Sequence, residues 1–152
     1  MKKLIFTLAF AASTLLSFTE ANGQAELQVI HNAADPAAAT VDIYVNGTNA
    51  IDDFAFRSAT SFISLPSGVP IGIGVAPGTS TSVNDTIKNF TVTLAAGVKY
   101  VAIARGVLNP ASFAVNPDGL NTAFDLTIIA NAQTTSGLPG NVDLTVHHGA
   151  TD

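Results

Sequence analysis

Three polar side chains early in the chain have the types and the spacing that chemistry requires. His31 precedes Asp35 by four residues, and Asp42 follows seven residues later. A histidine and two carboxylates can hold a divalent metal ion, or accept and donate protons during hydrolysis. One hypothesis is therefore a metal-dependent hydrolase that uses His31, Asp35 and Asp42.

A structural interpretation of the same residues competes with this hypothesis, and we favour it. His31 ends a predicted strand, and Asp35-Pro36 begins a turn in which the carboxylate would bond to nearby backbone amides. We therefore expect no catalytic residue, no metal site and no cofactor. His31, Asp35 and Asp42 are kept as the metal candidates to test.

Other polar clusters also allow both a metal-binding and a structural interpretation. Asp52, Asp53 and Asn49 could give oxygen ligands to calcium, but the spacing of a known calcium loop is missing. The segment Asn116-Pro117-Asp118-Gly119 first indicates a turn. His147-His148 looks like a metal pair, yet neighbours on a strand point to opposite faces, so both cannot easily bind one ion.

Composition narrows the classes of function. The chain has 152 residues, of which 47% are hydrophobic and 11% charged, so one folded domain with a sizeable core fits. With six basic residues and a net charge of -5, no basic patch exists for nucleic acid. The absence of cysteine excludes disulfides, thiolate metal sites and cysteine nucleophiles.

The first residues predict export. Lys2 and Lys3 are followed by an apolar run over residues 4–18 and by small residues up to Gly23. That order is typical of a signal peptide over residues 1–23, and the run is shorter than the roughly 20 residues of a spanning helix. We expect a secreted or cell-surface protein without a transmembrane segment after cleavage.

From residue 26 onward the hydrophobic period is two, which indicates strands and no long helix. The clearest strand is 41–45, and Asn46-Gly47 after it favours a tight hairpin turn. Further strands are predicted at 27–31, 48–51, 61–65, 71–75, 86–94, 100–105 and 122–129. Short strands separated by regular turns predict an all-β, immunoglobulin-like Greek-key sandwich of about seven to eight strands.

Tyr100 has the position of a structural tyrosine. It begins a strand just after the turn Leu94-Ala95-Ala96-Gly97, as in the tyrosine corner of immunoglobulin-like sandwiches, where the hydroxyl bonds to the backbone upstream. We therefore assign Leu94, Gly97 and Tyr100 to the scaffold, together with the turn residues Asn46 and Gly47.

The end of the chain repeats its beginning. Residues 27–35 align with residues 144–152, 117 positions later, and five of the nine residues are identical. Residues 134–141 are rich in Thr, Ser, Gly and Pro, as a linker is. We expect a sandwich domain at 26–133, a linker at 134–141 and the truncated start of a second repeat at 142–152, with a neighbouring tandem domain as partner.

Three motifs carry a family resemblance: 31–36 (HNAADP), 41–47 (VDIYVNG) and 94–100 (LAAGVKY). Together they resemble a secreted bacterial domain family of unknown function, the domain of unknown function 4397 family. The resemblance covers about 26–133, and 148–152 resembles the opening motif again. It implies an immunoglobulin-like sandwich, often in tandem, in exported or surface proteins, with no established catalytic residues.

Three functions follow as hypotheses. The first is a non-catalytic exported module with an adhesive, structural or spacer role. The second is a carbohydrate-binding module in which Tyr44, Phe54, Phe56 and Phe113 form an exposed aromatic platform, and the third is the hydrolase above. A surface polymer, a carbohydrate or a protein could be the ligand. Strand 71–75 carries glycines on one face, which often mark close approach of another backbone, so a neighbouring domain or an extended ligand could lie there; the simpler interpretation is a thin, exposed outer face.

Overall fold

The computed structural model describes residues 23–149, which form two four-stranded sheets packed as a β-sandwich. Sheet A has the order β4-β1-β7-β8, and sheet B has the order β3-β2-β5-β6. The strands are β1 (Gln24–His31), β2 (Thr40–Val45), β3 (Thr48–Ala55), β4 (Ile63–Pro66), β5 (Pro70–Pro77), β6 (Lys88–Thr93), β7 (Lys99–Arg105) and β8 (Asp125–Ala130). The predicted all-β sandwich is confirmed, and every predicted strand overlaps an observed one.

Residues 1–22 lie outside the described residues, and with them nearly all of the predicted signal peptide. No helix in the described part of the chain is long and apolar enough to span a membrane.

The core lies between the two sheets because each strand turns alternate residues inward. In β2, Val41 and Ile43 face the core, whereas Asp42 and Tyr44 point to the outer face of sheet B. Leu27, Ile71 and Leu94 are the largest apolar side chains that are fully buried. Burying a side chain of this size contributes about 1.5–3 kcal/mol.

Hairpins join β2 to β3, β5 to β6 and β7 to β8, and the other connections cross between the two sheets. The β2–β3 turn has positive φ angles of 49° at Asn46 and 85° at Gly47, as a type I′ turn requires. β1 and β7 are parallel neighbours at the centre of sheet A, whereas the other paired strands of the described chain run antiparallel. β1 therefore holds sheet A together, with β4 on one side and β7 on the other.

The long connection between β7 and β8 starts at a position that requires glycine. Gly106 has a φ of 80°, and a Cβ there would lie 2.4 Å from the carbonyl oxygen of Ala123. Beyond it, the side chain of Asn116 accepts hydrogen bonds from the amides of Asp118 and Leu120, at 2.9 and 3.2 Å. These contacts match the turn chemistry expected for residues 116–119.

Candidate functional site

His31 is buried at the end of β1, where its ring supports the loop that follows. Nε2 donates to the carbonyl of Ala38 at 2.7 Å, and Nδ1 accepts from the amide of Ala33 at 3.4 Å. The rings of Phe54 and Phe56 lie 5.9 and 6.0 Å away between centroids. Burial lowers the pKa of His31, with an opposing contribution from the Ala38 carbonyl, so the ring is neutral in this environment.

Asp35 ties two loops at one end of the sandwich. One carboxylate oxygen accepts from the amide of Ala37 at 2.9 Å, which caps the short 3₁₀ turn Pro36–Ala38. The other accepts from the amide of Leu108 at 2.7 Å, in the connection that follows β7. Both oxygens are therefore occupied by backbone amides, as the structural interpretation expects.

Asp42 is fully buried on the outer face of sheet B. Its carboxylate accepts the amide of Asp53 at 2.9 Å and a short hydrogen bond from the Ser80 hydroxyl. Because Ser80 donates to Asp42, its oxygen accepts from the Tyr44 hydroxyl at 2.9 Å. The β2–β3 register shifts next to Asp42, and the positive φ of Asp53 marks this irregularity, so the carboxylate binds an amide where the ladder is interrupted.

The three candidate residues do not combine into one site. Within residues 23–149, no group of three or more histidine, aspartate or glutamate side chains is arranged to hold a metal ion. His31 and Asp35 share the loop after β1, whereas Asp42 belongs to the network with Ser80 and Tyr44. Sequence reasoning missed Ser80, because its contact spans 38 residues and its neighbours carry no motif.

The aromatic platform expected for carbohydrate binding is wrong. Tyr44 and Phe54 are 4% and 7% exposed, and Phe56 packs its ring edge against His31. Of the four rings, Phe113 alone is an exposed one, at 43%. Tyr44 does lie on the outer face of its strand. The prediction failed because a loop from elsewhere in the chain covers that face.

That loop, residues 78–87, also explains the glycines of β5. We call it the covering loop. A Cβ at Gly74 would lie 2.6 Å from a methyl carbon of Thr86, and the amide of Ile87 donates to Val75 at 2.8 Å. The glycine face of strand 71–75 is thus covered by the protein's own chain at Gly74, and the expected thin, exposed outer face is wrong there. The loop is fixed internally by Asp85, which accepts from the amides of Thr81 and Ser82 at 2.8 and 3.0 Å.

The remaining sequence candidates have local roles. The Tyr100 hydroxyl accepts from the amide of Ala95 at 3.0 Å, the contact that defines a tyrosine corner. Asn49 donates to Asp52 at 3.2 Å on the exposed β3 hairpin. Asp53 is exposed beside them, and its backbone amide donates a hydrogen bond to the Asp42 carboxylate.

The segment after β8, residues 134–149, folds back over sheet A, and we call it the tail. It encloses a cleft of about 770 Å³ against the outer face of that sheet. Asp143, Thr145 and His147 line the cleft. Val142 also lines it and is 79% exposed, whereas Leu144 and Val146 do not line it and are 84% and 91% exposed. Leu144 and Val146 of the tail therefore face solvent, whereas Thr145 and His147 lie on the side of the cleft.

In the first copy of the repeat, the residues shared with the tail lie on one face of β1 and in the loop after it. Identical residues occur at 27, 29, 31, 33 and 35, which in the first copy are the core-facing positions of β1 and the buried positions of the loop after it. Different residues occur at 28, 30, 32 and 34, which are half-buried or exposed. Positions 150–152 lie outside the described residues.

The model of a protein family described as domain of unknown function (DUF4397) matches residues 25–152. The chain belongs to this family. No curated protein matches it significantly. For this DUF4397 domain, the motifs 31–36, 41–47 and 94–100 are the residues that build the His31 loop, the β2–β3 hairpin and the tyrosine corner. The motifs on which the resemblance rests are thus parts of the scaffold of this chain.

Proposed function

We propose that this protein is a non-catalytic repeat module of an exported tandem protein, with a structural, spacer or adhesive role. The proposal rests mainly on one observation: the residues shared by β1 and the tail are those that β1 turns toward the core. A chance match of nine residues has no reason to sort by the face of a strand. A second sandwich whose first strand is the tail would share these residues, because that strand must fill a similar core.

The exposure of the tail supports the same idea. Leu144 and Val146 correspond to Leu27 and Val29, yet they are largely exposed on this chain. Exposed apolar side chains of this size forgo about 1.5–3 kcal/mol each relative to burial. They would regain it in a sandwich assembled around the tail as its own first strand.

A non-catalytic role is supported by how the reactive side chains are used. His31 is neutral and bonded at both ring nitrogens, and both oxygens of Asp35 accept backbone amides. Asp42 is committed to Ser80 and Asp53. These contacts hold loops and strand irregularities in place, which is what a scaffold requires.

Export is supported by the sequence of residues 1–23 alone. Expression of the full chain in a bacterium should give an extracytoplasmic product whose amino terminus lies near Gln24, because small residues precede that position. Terminal sequencing and cell fractionation measure this. An uncleaved protein that stays in the cytoplasm would contradict export without affecting the repeat.

The repeat is tested by giving β1 the sequence of the tail. The variant carries Gln28→Thr, Ile30→His, Asn32→Gly and Ala34→Thr, which are the four differences between the two copies. We expect it to fold with a loss of less than about 3 kcal/mol, since all four positions lie outside the core. Denaturant unfolding of the mature chain measures the loss.

The matched control moves the same four side chains by one residue. Leu27→Thr, Val29→His, His31→Gly and Ala33→Thr place them at core-facing positions, and this variant should not fold. The proposal is contradicted if the outward-facing set unfolds the sandwich as completely as the control does.

A further inference from the structure

The outer face of sheet A carries an apolar stripe that a solvent-facing sheet would not need. Its members are the outward-facing residues Ile30, Val101, Ile103 and Ile129, with Phe62 beside them. Ile103 is 6% exposed, and the tail lies over the others. Both faces of β7 therefore carry apolar side chains, which is typical of a strand buried on two faces.

Ion pairs border the stripe at its two ends. Lys99 pairs with Glu26 where β1 begins, and Arg105 pairs with Asp125 at 3.0 Å where β8 begins. An apolar centre with a charged rim is the arrangement of a protein interface. The stripe thus has the composition of a contact surface.

The tail is a poor cover for this surface. Asp143, Thr145 and His147 face the cleft, and Nε2 of His147 is buried without a hydrogen bond to any residue in 23–149. A segment whose purpose was to cover the stripe would turn Leu144 and Val146 toward it instead. The orientation suits a strand that has its own core on the far side.

The tail also runs in the direction of β1. It starts after β8, whose last residue pairs with Tyr100, at the end of the sheet where β1 begins. A Cβ at Gly149 would lie 3.2 Å from the side chain of Asn32, just beyond the end of β1. The two repeated segments are thus parallel, with their core-facing sides pointing in opposite directions.

We propose that the next repeat packs the outer face of its own sheet A against the outer face of this sheet A. The two modules would be related by a twofold axis parallel to the strands, since that rotation keeps the strand direction and reverses the face. This proposal rests on the proposed function, because the occupant is the sandwich that begins at the tail. The stripe is its contact surface, and the tail is the first strand of the partner to reach it.

A two-module protein tests this arrangement. Residues 24–152 continue directly into a second copy of 36–133, in the register of the repeat, so that the natural tail supplies the first strand of the second module. The natural chain lacks cysteine, so Ser64→Cys in each module gives two defined spin-label sites on the outer faces of sheet A. Thr91→Cys in each module labels the outer faces of sheet B as the matched control.

Distances between the labels distinguish the arrangements. One sheet spacing of about 10 Å separates the two outer faces of sheet A, so the Ser64 pair should give a narrow, short distribution. Three spacings, roughly 30 Å, separate the outer faces of sheet B, so the Thr91 pair should give a long one. Ile129→Lys should broaden the Ser64 distribution, whereas Thr93→Lys on sheet B should leave it unchanged.

Failure of this proposal differs from failure of the proposed function. Two folded modules with a broad Ser64 distribution would overturn the packing and leave the repeat intact. A short distance that disappears on dilution would also overturn it, because the contact would then join different chains. A second copy that does not fold, seen as a denaturant dependence unchanged from one module, would instead contradict the repeat.

Discussion

The two outer faces of the sandwich are closed in opposite ways. Sheet B is covered by a loop that fits it closely: Ser80 bonds to Asp42 and Tyr44, and Thr86 fills the space above Gly74. Sheet A is covered by a tail that turns polar residues toward an apolar stripe. Sheet B is thus covered closely by its own chain, whereas the cover of sheet A fits loosely, and we propose that the next repeat packs there.

The largest effect is expected where the covering loop is attached. Asp42→Ala should cost about 2–4 kcal/mol, because it removes a fully buried carboxylate and leaves the amide of Asp53 and the Ser80 hydroxyl without their acceptor. Urea unfolding of the mature chain measures the change. Asp52→Ala, on the exposed face of the same hairpin, is the control and should change stability by less than about 0.5 kcal/mol. Equal effects would show that sheet B is not sealed through Asp42.

The fit of the covering loop predicts a smaller effect. Gly74→Val should cost about 1–3 kcal/mol, because a Cβ would lie 2.6 Å from Thr86 and the loop must move. Gly72→Ala is the control on the same strand face, since its Cβ would meet only the Asn46 side chain at 3.7 Å. Thermal unfolding of both variants measures the difference. If Gly74→Val is as well tolerated as Gly72→Ala, the loop does not press on β5.

The neutral His31 predicts a pH dependence at the loop end of the molecule. Its pKa in the folded state is below the usual 6.5, so the unfolded chain binds the proton first as the pH falls. The contribution of His31 is therefore complete above pH 6.5 and is lost progressively below it. Unfolding free energies between pH 7.5 and pH 5 measure this slope.

His31→Gln is the comparison for that slope, because it keeps a neutral donor for the Ala38 carbonyl. The variant should be less stable at pH 7.5 but should lose less stability between pH 7.5 and pH 5. The assignment fails if the two slopes are the same. A further loss at more acidic pH is expected from Asp85, whose pKa is lowered by the amides of Thr81 and Ser82.

The smallest effect is expected from the tail. Ending the chain after Gln133 should change stability by less than about 1 kcal/mol, because the apolar side chains of the tail contact little and its hydrogen bonds are mostly internal. The truncated chain keeps Ala132, whose amide donates to Lys99. Calorimetry compares the two melting temperatures. A large loss would mean that the tail completes this sandwich.

Much of the fold could be predicted because its signals are local. Alternation in β2, the Asn46-Gly47 turn and the position of Tyr100 each depend on a few adjacent residues. What covers a sheet depends on distant residues, so the burial of Tyr44 by a loop 36 residues away was not foreseen. One available signal was overlooked: Val101 and Ile103 alternate with alanines in β7, and a strand that is apolar on both faces indicates a covered outer face.

The candidate site divides in the same way. The capping role expected for Asp35 follows from its place before Pro36, and the structure has that contact at Ala37. The second bond of Asp35, to Leu108, joins residues 73 positions apart and leaves no trace in the sequence. The identity of alternate residues in the repeat is visible in the sequence. That these residues face the core depends on the packing of residues 27–35.

The central claim is that the tail is the first strand of a second sandwich. Amide hydrogen exchange of Leu144 and Val146 tests it most directly, in the single chain and in the two-module protein. The account predicts rapid exchange in the single chain and, in the two-module protein, protection approaching that of the amides of Leu27 and Val29. Exchange that stays rapid at both positions while the second copy is folded would contradict it.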